Sequence, residues 1–214
     1  MFVEQKFTIP DLKGISRKTI EEHLKLYAGY VKHANLILEK IKELKQDSEK
    51  NAYALGEVNR RFGFEFNGMR NHEVYFKSLE GGSTALTAGG PLQKALEAQW
   101  SSFDPVRSRE GTERASASNG VDAWLAEFKA IALTRGIGWA MLYYDRASGQ
   151  LLNAWIDEQH LGQLQNCALI LGLDMWEHSY VADYQPSGKK QYVEDFFANL
   201  NWSVIERNFE EAKR

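Results

Sequence analysis

The stretch from Ser16 to Lys45, SRKTIEEHLKLYAGYVKHANLILEKIKELK, sets apolar or aromatic side chains at Ile20, Leu24, Tyr27, Val31, Ala34, Leu38, Ile41 and Leu44. Steps of three and four held over that distance describe one long amphipathic helix, because 3.6 residues per turn returns such positions to a single face. Ser16 or Thr19 supplies its N-terminal cap. A second helical stretch runs from about Asn51 to Leu79, interrupted in composition by Gly56, Gly63 and Gly68. The polar connection KQDSEKN between the two predicts an antiparallel helical hairpin.

The glycine-rich EGGSTALTAGGP from Glu80 is a loop and the expected domain boundary, separating a helical hairpin at 1–82 from a second domain at 90–214. Short helices are expected at LQKALEAQW and VDAWLAEFKAIAL. After Arg135 the period changes: IGWAMLYYD and LLNAWID flank RASGQ and read as a β-hairpin. The short apolar run from Cys167 to Leu173 reads as a third strand, and KKQYVEDFFANL and SVIERNFEEAKR as closing helices. The fold class is α+β: a long antiparallel α-hairpin, then an α/β domain with a small three-stranded antiparallel sheet.

Composition narrows the partners. The net charge of −3, from 26 basic and 29 acidic residues, leaves no footprint for nucleic acid or an anionic membrane surface. Apolar runs fall short of the ~20 residues that span a bilayer, and the N-terminus lacks the apolar core of a signal peptide. The expected start of the mature chain is at or near Met1, and the expected compartment is the cytoplasm. The single cysteine, Cys167, is expected to be a small buried residue.

The chain has five histidines: His23, His33, His72, His160 and His178. His23 shares the apolar face of Ile20, Leu24 and Tyr27, whereas His33 falls toward the polar side. His72 stands four after Gly68 and four before Phe76, again on an apolar face. Asp174 and His178 are four apart where the last strand ends, so a strand end can deliver a carboxylate and an imidazole into one pocket. Three imidazoles and one carboxylate, from His23, His72, Asp174 and His178, would suit a borderline transition metal.

The motif DMWEHSY at Asp174 to Tyr180 resembles the D-x-W-E-H-A-Y signature of the iron/manganese superoxide dismutases. In the same order, RNHEVYFKSL resembles that family's second-helix segment, GIGWAMLYYD its G-S-G-W strand, and NWSVIERNF its closing stretch. The resemblance implies disproportionation of superoxide to dioxygen and hydrogen peroxide. One iron or manganese ion per subunit would cycle between +3 and +2, in a homodimer or homotetramer, with the metal between the two domains. The alternative is a dismutase-like metal-binding protein with weak or different redox activity.

Carried over by motif, the ligands are His72, Asp174, His178 and, from TIEEHLKLYAGYV, His23. One residue is missing between His23 and Tyr30 relative to the family pattern, so counting back from Tyr30 without a gap would set Glu22 there. Histidine keeps the donor set, and removal of a helical bulge absorbs the deletion. Tyr30 is the expected gateway tyrosine, with Tyr27 its rival. The positions assigned to the family's solvent-bonding glutamine carry Arg135 and Gly68, so His160, in EQHLGQ, is the expected replacement. Trp139 and Trp176 resemble the walls of the metal pocket. Glu177 resembles a glutamate that reaches the partner subunit, and Val181 replaces a tyrosine of the same interface. Lys25, Arg70 and Arg135 are candidate cations for guiding an anionic substrate.

Overall fold

The computed structural model describes residues 1–101 and 120–214. The part of the expected second domain at 102–119 lies outside the described residues.

Helix α1 (Arg17–Leu44) begins at Ser16, whose side chain accepts the Thr19 amide at 3.2 Å. Thr19 is therefore the residue capped and not the cap. The helix runs unbroken for 28 residues, with no bulge between His23 and Tyr30. A 3-10 turn at Lys45–Asp47 leads to α2 (Ala52–Leu79). The two helices are antiparallel: Tyr27 meets Glu73, and nearer the turn His33 faces Glu65.

Residues ahead of α1 form an extended strap across the hairpin. Asn35 bonds both the amide and the carbonyl of Phe2, and the Gln5 amide donates to the Tyr27 hydroxyl at 2.8 Å. Phe7 packs edge-on to Tyr27 and, tilted, against Phe76, with ring centroids 5.7 and 5.4 Å apart.

Beyond the Gly81–Gly90 loop come α3 (Pro91–Trp100) and α4 (Gly120–Ala132). The strands β1 (Gly138–Asp145), β2 (Leu151–Asp157) and β3 (Cys167–Asp174) follow, in the antiparallel order β2-β1-β3. Helix α4 packs on β1 and β2, whereas α2 and α7 (Trp202–Ala212) pack on β3. Helices α5 (Val181–Tyr184) and α6 (Lys189–Ala198) lie between β3 and α7. The central strand is buried from Gly138 to Tyr143, which is why its sequence is a continuous apolar run without alternation.

Register positions the site. Trp139 lies opposite Ile156 on β2 and opposite Asp174 on β3. One residue earlier, a Cβ on Gly138 would lie 2.1 Å from the Ile156 carbonyl oxygen, so only glycine lets the strands approach there. Strand β3 extends one residue past the expected end and includes Asp174. Cys167 is partly exposed and not buried, because it opens β3, an edge strand. Among the described residues, no helix is long and apolar enough to cross a membrane.

Candidate metal centre

The sharp turn after β3 is built by side chains. The Trp176 amide donates to Asp174 Oδ1 at 2.8 Å, and the Ser179 hydroxyl sits within bonding distance of the Trp176 and Asp174 carbonyls. These contacts set a 3-10 turn at Glu177–Ser179, which carries His178 back over the strand end. The four-residue spacing is thus a strand followed by a turn.

From the hairpin, α1 and α2 deliver His23 and His72, both fully buried. The Nε2 atoms of His23 and His178 each lie 3.1 Å from Asp174 Oδ2, and that of His72 lies at 3.5 Å. The four ligand-type atoms are all within 4.8 Å of one another. Glu22, the rival for the first position, is exposed and bonded to Lys25 at 2.7 Å.

Protonation follows from the surroundings. His72 Nδ1 lies 2.6 Å from the Gly68 carbonyl, which can only accept, so the ring proton is on Nδ1 and the Nε2 lone pair faces the cluster. That Nε2 is buried without a hydrogen-bond partner. Burial, with the neighbouring His23, pushes His72 down to about 3. Burial likewise lowers His23, against the pull of Asp174. Burial alone would raise Asp174, but His178 and His23 outweigh it and hold the carboxyl well below its ordinary range. His178 is also pushed down by burial, yet the Asp174 carboxylate wins and raises it.

Two imidazoles held neutral, at His23 and His72, an ionised carboxylate and an orphaned lone pair aimed inward are what a bound cation requires of its ligands. Three nitrogens and one oxygen of this kind admit iron and manganese alike.

Aromatic rings enclose the cluster. Trp139 lies edge-on to His72 at 5.1 Å, Phe76 and Tyr75 each lie 4.9 Å from His23, and Trp176 stacks on His178 at 6.0 Å. Tyr30 lies 5.0 Å from His72. It follows His23 by seven residues, two turns of a regular helix, so both project from one face. Tyr27, four after His23, is turned away: its hydroxyl takes the Gln5 amide and gives to Glu73 at 3.2 Å. Gly68 lies beneath Tyr30, and a Cβ there would come within 2.5 Å of the ring.

The side chain that reaches Tyr30 from the second half of the chain belongs to Gln159 and not to His160. Gln159 is fully buried; its Nε2 donates to the Tyr30 hydroxyl at 3.0 Å and its Oε1 accepts the Trp139 indole N–H at 3.0 Å. The donor Trp139 fixes which end of the amide is which. Strand β2 ends at Asp157, and Glu158 then adopts a left-handed φ of 51°, after which Gln159 turns inward. The His160 ring instead packs on Phe64 at 5.7 Å. The signal available in the sequence was the glutamine of EQHLGQ itself, one position before the histidine.

Arg135 is exposed. Lys25 and Arg70 are engaged by Glu22 and Glu73. Glu177 is exposed beside His178, and Val181 is half-buried.

The family model for iron/manganese superoxide dismutases, C-terminal domain, matches residues 113–208. Over 207 residues the chain is 34% identical to "Superoxide dismutase [Fe]" of Cupriavidus metallidurans, covering 95% of this chain and 92% of that protein. It is 30% identical over 218 residues to "Superoxide dismutase [Mn]" of Nocardia asteroides, covering 97% and 94%, and 29% identical over 209 residues to "Superoxide dismutase [Fe]" of Aquifex aeolicus, covering 95% and 88%. With the motif order, the fold and the buried cluster agreeing with these likenesses, the chain belongs to the iron/manganese superoxide dismutase family.

Proposed function

We propose that this protein is a superoxide dismutase, converting two superoxide ions and two protons to dioxygen and hydrogen peroxide. The observation that carries the reading is the buried convergence of His23, His72, Asp174 and His178 in a chain of this family. These four residues would hold one iron or manganese ion per subunit, between the helical hairpin at 1–82 and the domain at 90–214. The bound ion, cycling between +3 and +2, supplies the electron exchange with superoxide.

The remaining roles fall to the chain's own groups. Burial raises the Tyr30 phenol well above its ordinary range, so it stays protonated at the pocket and keeps a proton to share. Gln159, with its amide oriented by Trp139, aims its NH2 at Tyr30 and is the group placed to steady solvent bound at the centre. This is the role first expected of His160. Trp139 and Trp176 keep bulk water from the ligands. The rival reading, a metal-binding protein with weak or different redox activity, rested on a missing glutamine, and Gln159 removes that reason for it.

The reading extends to a homodimer or homotetramer in the cytoplasm. What supports the assembly is Glu177, an exposed carboxylate next to His178, whose own side chain is 23% exposed. Sedimentation of the purified protein checks the assembly. The activity is tested by product balance on metal-loaded protein: one dioxygen and one peroxide are expected for every two superoxide ions consumed. Peroxide formed without dioxygen would replace dismutation by superoxide reduction.

A further inference from the structure

A line of phenols starts beside His23, whereas Tyr30 lies against His72. Tyr75 is fully buried, its ring 4.9 Å from His23 and 6.3 Å from Trp139. Its hydroxyl lies 3.2 Å from that of Tyr192, which is fully buried as well. Tyr192 stacks on Tyr180 at 5.5 Å and meets Tyr184 edge-on at 5.9 Å. Tyr184 is half-buried, and its hydroxyl donates to Asp195 Oδ2 at 3.0 Å. Asp195 is 5% exposed and also accepts from Gln191.

Packing alone does not call for these hydroxyls. Phenylalanine fills the same core nearby, at Phe76 and at Phe196, whose ring stacks on Tyr75 at 5.5 Å. A buried hydroxyl adds a desolvation cost that a phenyl ring avoids. What the hydroxyls add is a hydrogen-bonded link at each end of the line, and phenols are the side chains here that can give up an electron and a proton together.

We propose that Tyr75, Tyr192 and Tyr184 form a radical-transfer chain that leads an oxidising equivalent away from the metal ligands to the outer side of the protein. The proposal rests on the metal site described above and goes beyond the dismutase reading. The oxidant is the hydroxyl radical formed, with hydroxide, when hydrogen peroxide takes one electron from a ferrous ion. Hydrogen-atom abstraction from the Tyr75 phenol yields water and the Tyr75 phenoxyl. Tyr192 then passes its hydroxyl proton and one electron across the 3.2 Å contact, restoring Tyr75 and leaving the phenoxyl on Tyr192.

Tyr184 next gives an electron to Tyr192 while its own proton moves to Asp195. The proton that restores the buried Tyr192 phenol comes from solvent by relay through the Ser179 hydroxyl, to which Tyr192 is hydrogen-bonded, and Asp195 returns its proton to solvent. A thiol reductant ends the sequence by giving a hydrogen atom to the Tyr184 phenoxyl and becoming a thiyl radical. Tyr75 and Tyr192 are both fully buried with their hydroxyls in contact, so electron loss without loss of the proton would leave a buried charge, and the hydroxyl pair supplies the proton route.

The test uses ferrous-loaded full-length protein mixed with one equivalent of hydrogen peroxide, without thiol, frozen for electron paramagnetic resonance and mapped for oxidised residues by mass spectrometry. The expected wild-type result is a phenoxyl signal with oxidation at Tyr184. Tyr192→Phe is expected to lose oxidation at Tyr184 and gain it at His23 and Trp139, with metal content and superoxide decay unchanged. Equal Tyr184 oxidation in both proteins, or no phenoxyl in the wild type, overturns the proposal. Should Tyr192→Phe fold poorly, Tyr184→Phe is read instead: the phenoxyl should persist and oxidation should stop at Tyr192, and an unchanged map elsewhere with no product at Tyr192 overturns it. Superoxide decay on the same samples reports separately on the dismutase reading.

Discussion

Replacing Gln159 with leucine keeps the volume but removes both hydrogen bonds of its amide, the one given to Tyr30 and the one accepted from Trp139. The Trp139 indole N–H, fully buried, would lose its acceptor. A buried donor left unsatisfied costs about 1–3 kcal/mol, and the lost bond to the Tyr30 hydroxyl adds about 0.5–1.5 kcal/mol. At roughly 2–4 °C per kcal/mol for a chain of this size, the total of about 1.5–4.5 kcal/mol lowers Tm by about 3–18 °C. The four ligand residues are untouched, so metal content should hold while superoxide decay slows. Calorimetry, metal analysis and rapid mixing on Gln159→Leu, run beside His160→Ala, measure all three. His160 makes no hydrogen bond through its buried Nδ1, so His160→Ala should move each quantity less. The reasoning fails if His160→Ala costs more stability and activity than Gln159→Leu.

Other substitutions probe the walls of the site. Gly68→Ala puts a methyl into the Tyr30 ring, so Tyr30 must shift; activity should fall with metal content preserved, and unchanged activity would show that Tyr30 tolerates displacement. Tyr27, pushed up to about 12 by burial, stays a donor to Glu73 at any working pH. Tyr27→Phe should therefore cost about 1–3 kcal/mol, read as a lower denaturation midpoint, because Glu73 and the Gln5 amide each lose a partner.

In the metal-free protein, His23 and His72 are held below their unfolded value, so the unfolded chain binds protons first. Their contribution is full above pH 6.5 and lost as pH falls toward the folded values, to about 3 for His72. His178, held high, works in the opposite sense and is one ring against two. Denaturation midpoints of metal-free protein should thus drop between pH 6.5 and pH 4; a rise over that window would contradict the assignment of neutral buried rings.

Much of this architecture was legible because period and burial coincide. The α1 stripe contains His23 and Tyr27, and both are buried. The segments IGWAMLYYD and LLNAWID, read as a β-hairpin, are β1 and β2 paired antiparallel. The four ligand candidates could be named from chemistry and motif, and the fold brings them together.

What escaped was set by contacts between distant segments. Tyr27 and Tyr30 both lie toward the apolar face of α1, and what separates them is that the N-terminal strap offers the Gln5 amide to one and Gln159 approaches the other. Gln159 and His160 are neighbours, and the backbone reversal at Glu158 decides which of them faces the core. No periodicity encodes a single left-handed residue. Cys167 looked buried because its run is apolar, yet strand order leaves the start of β3 at an edge.

The account stands or falls on whether the four-residue centre turns over superoxide. Superoxide decay by rapid mixing, on iron-loaded and manganese-loaded protein with metal content determined on the same samples and Asp174→Ala alongside, measures this directly. The predicted result is catalytic decay in proportion to bound metal with at least one of the two ions, and neither metal nor decay in Asp174→Ala. Full occupancy by both metals without catalytic decay, or full metal retention in Asp174→Ala, would contradict it.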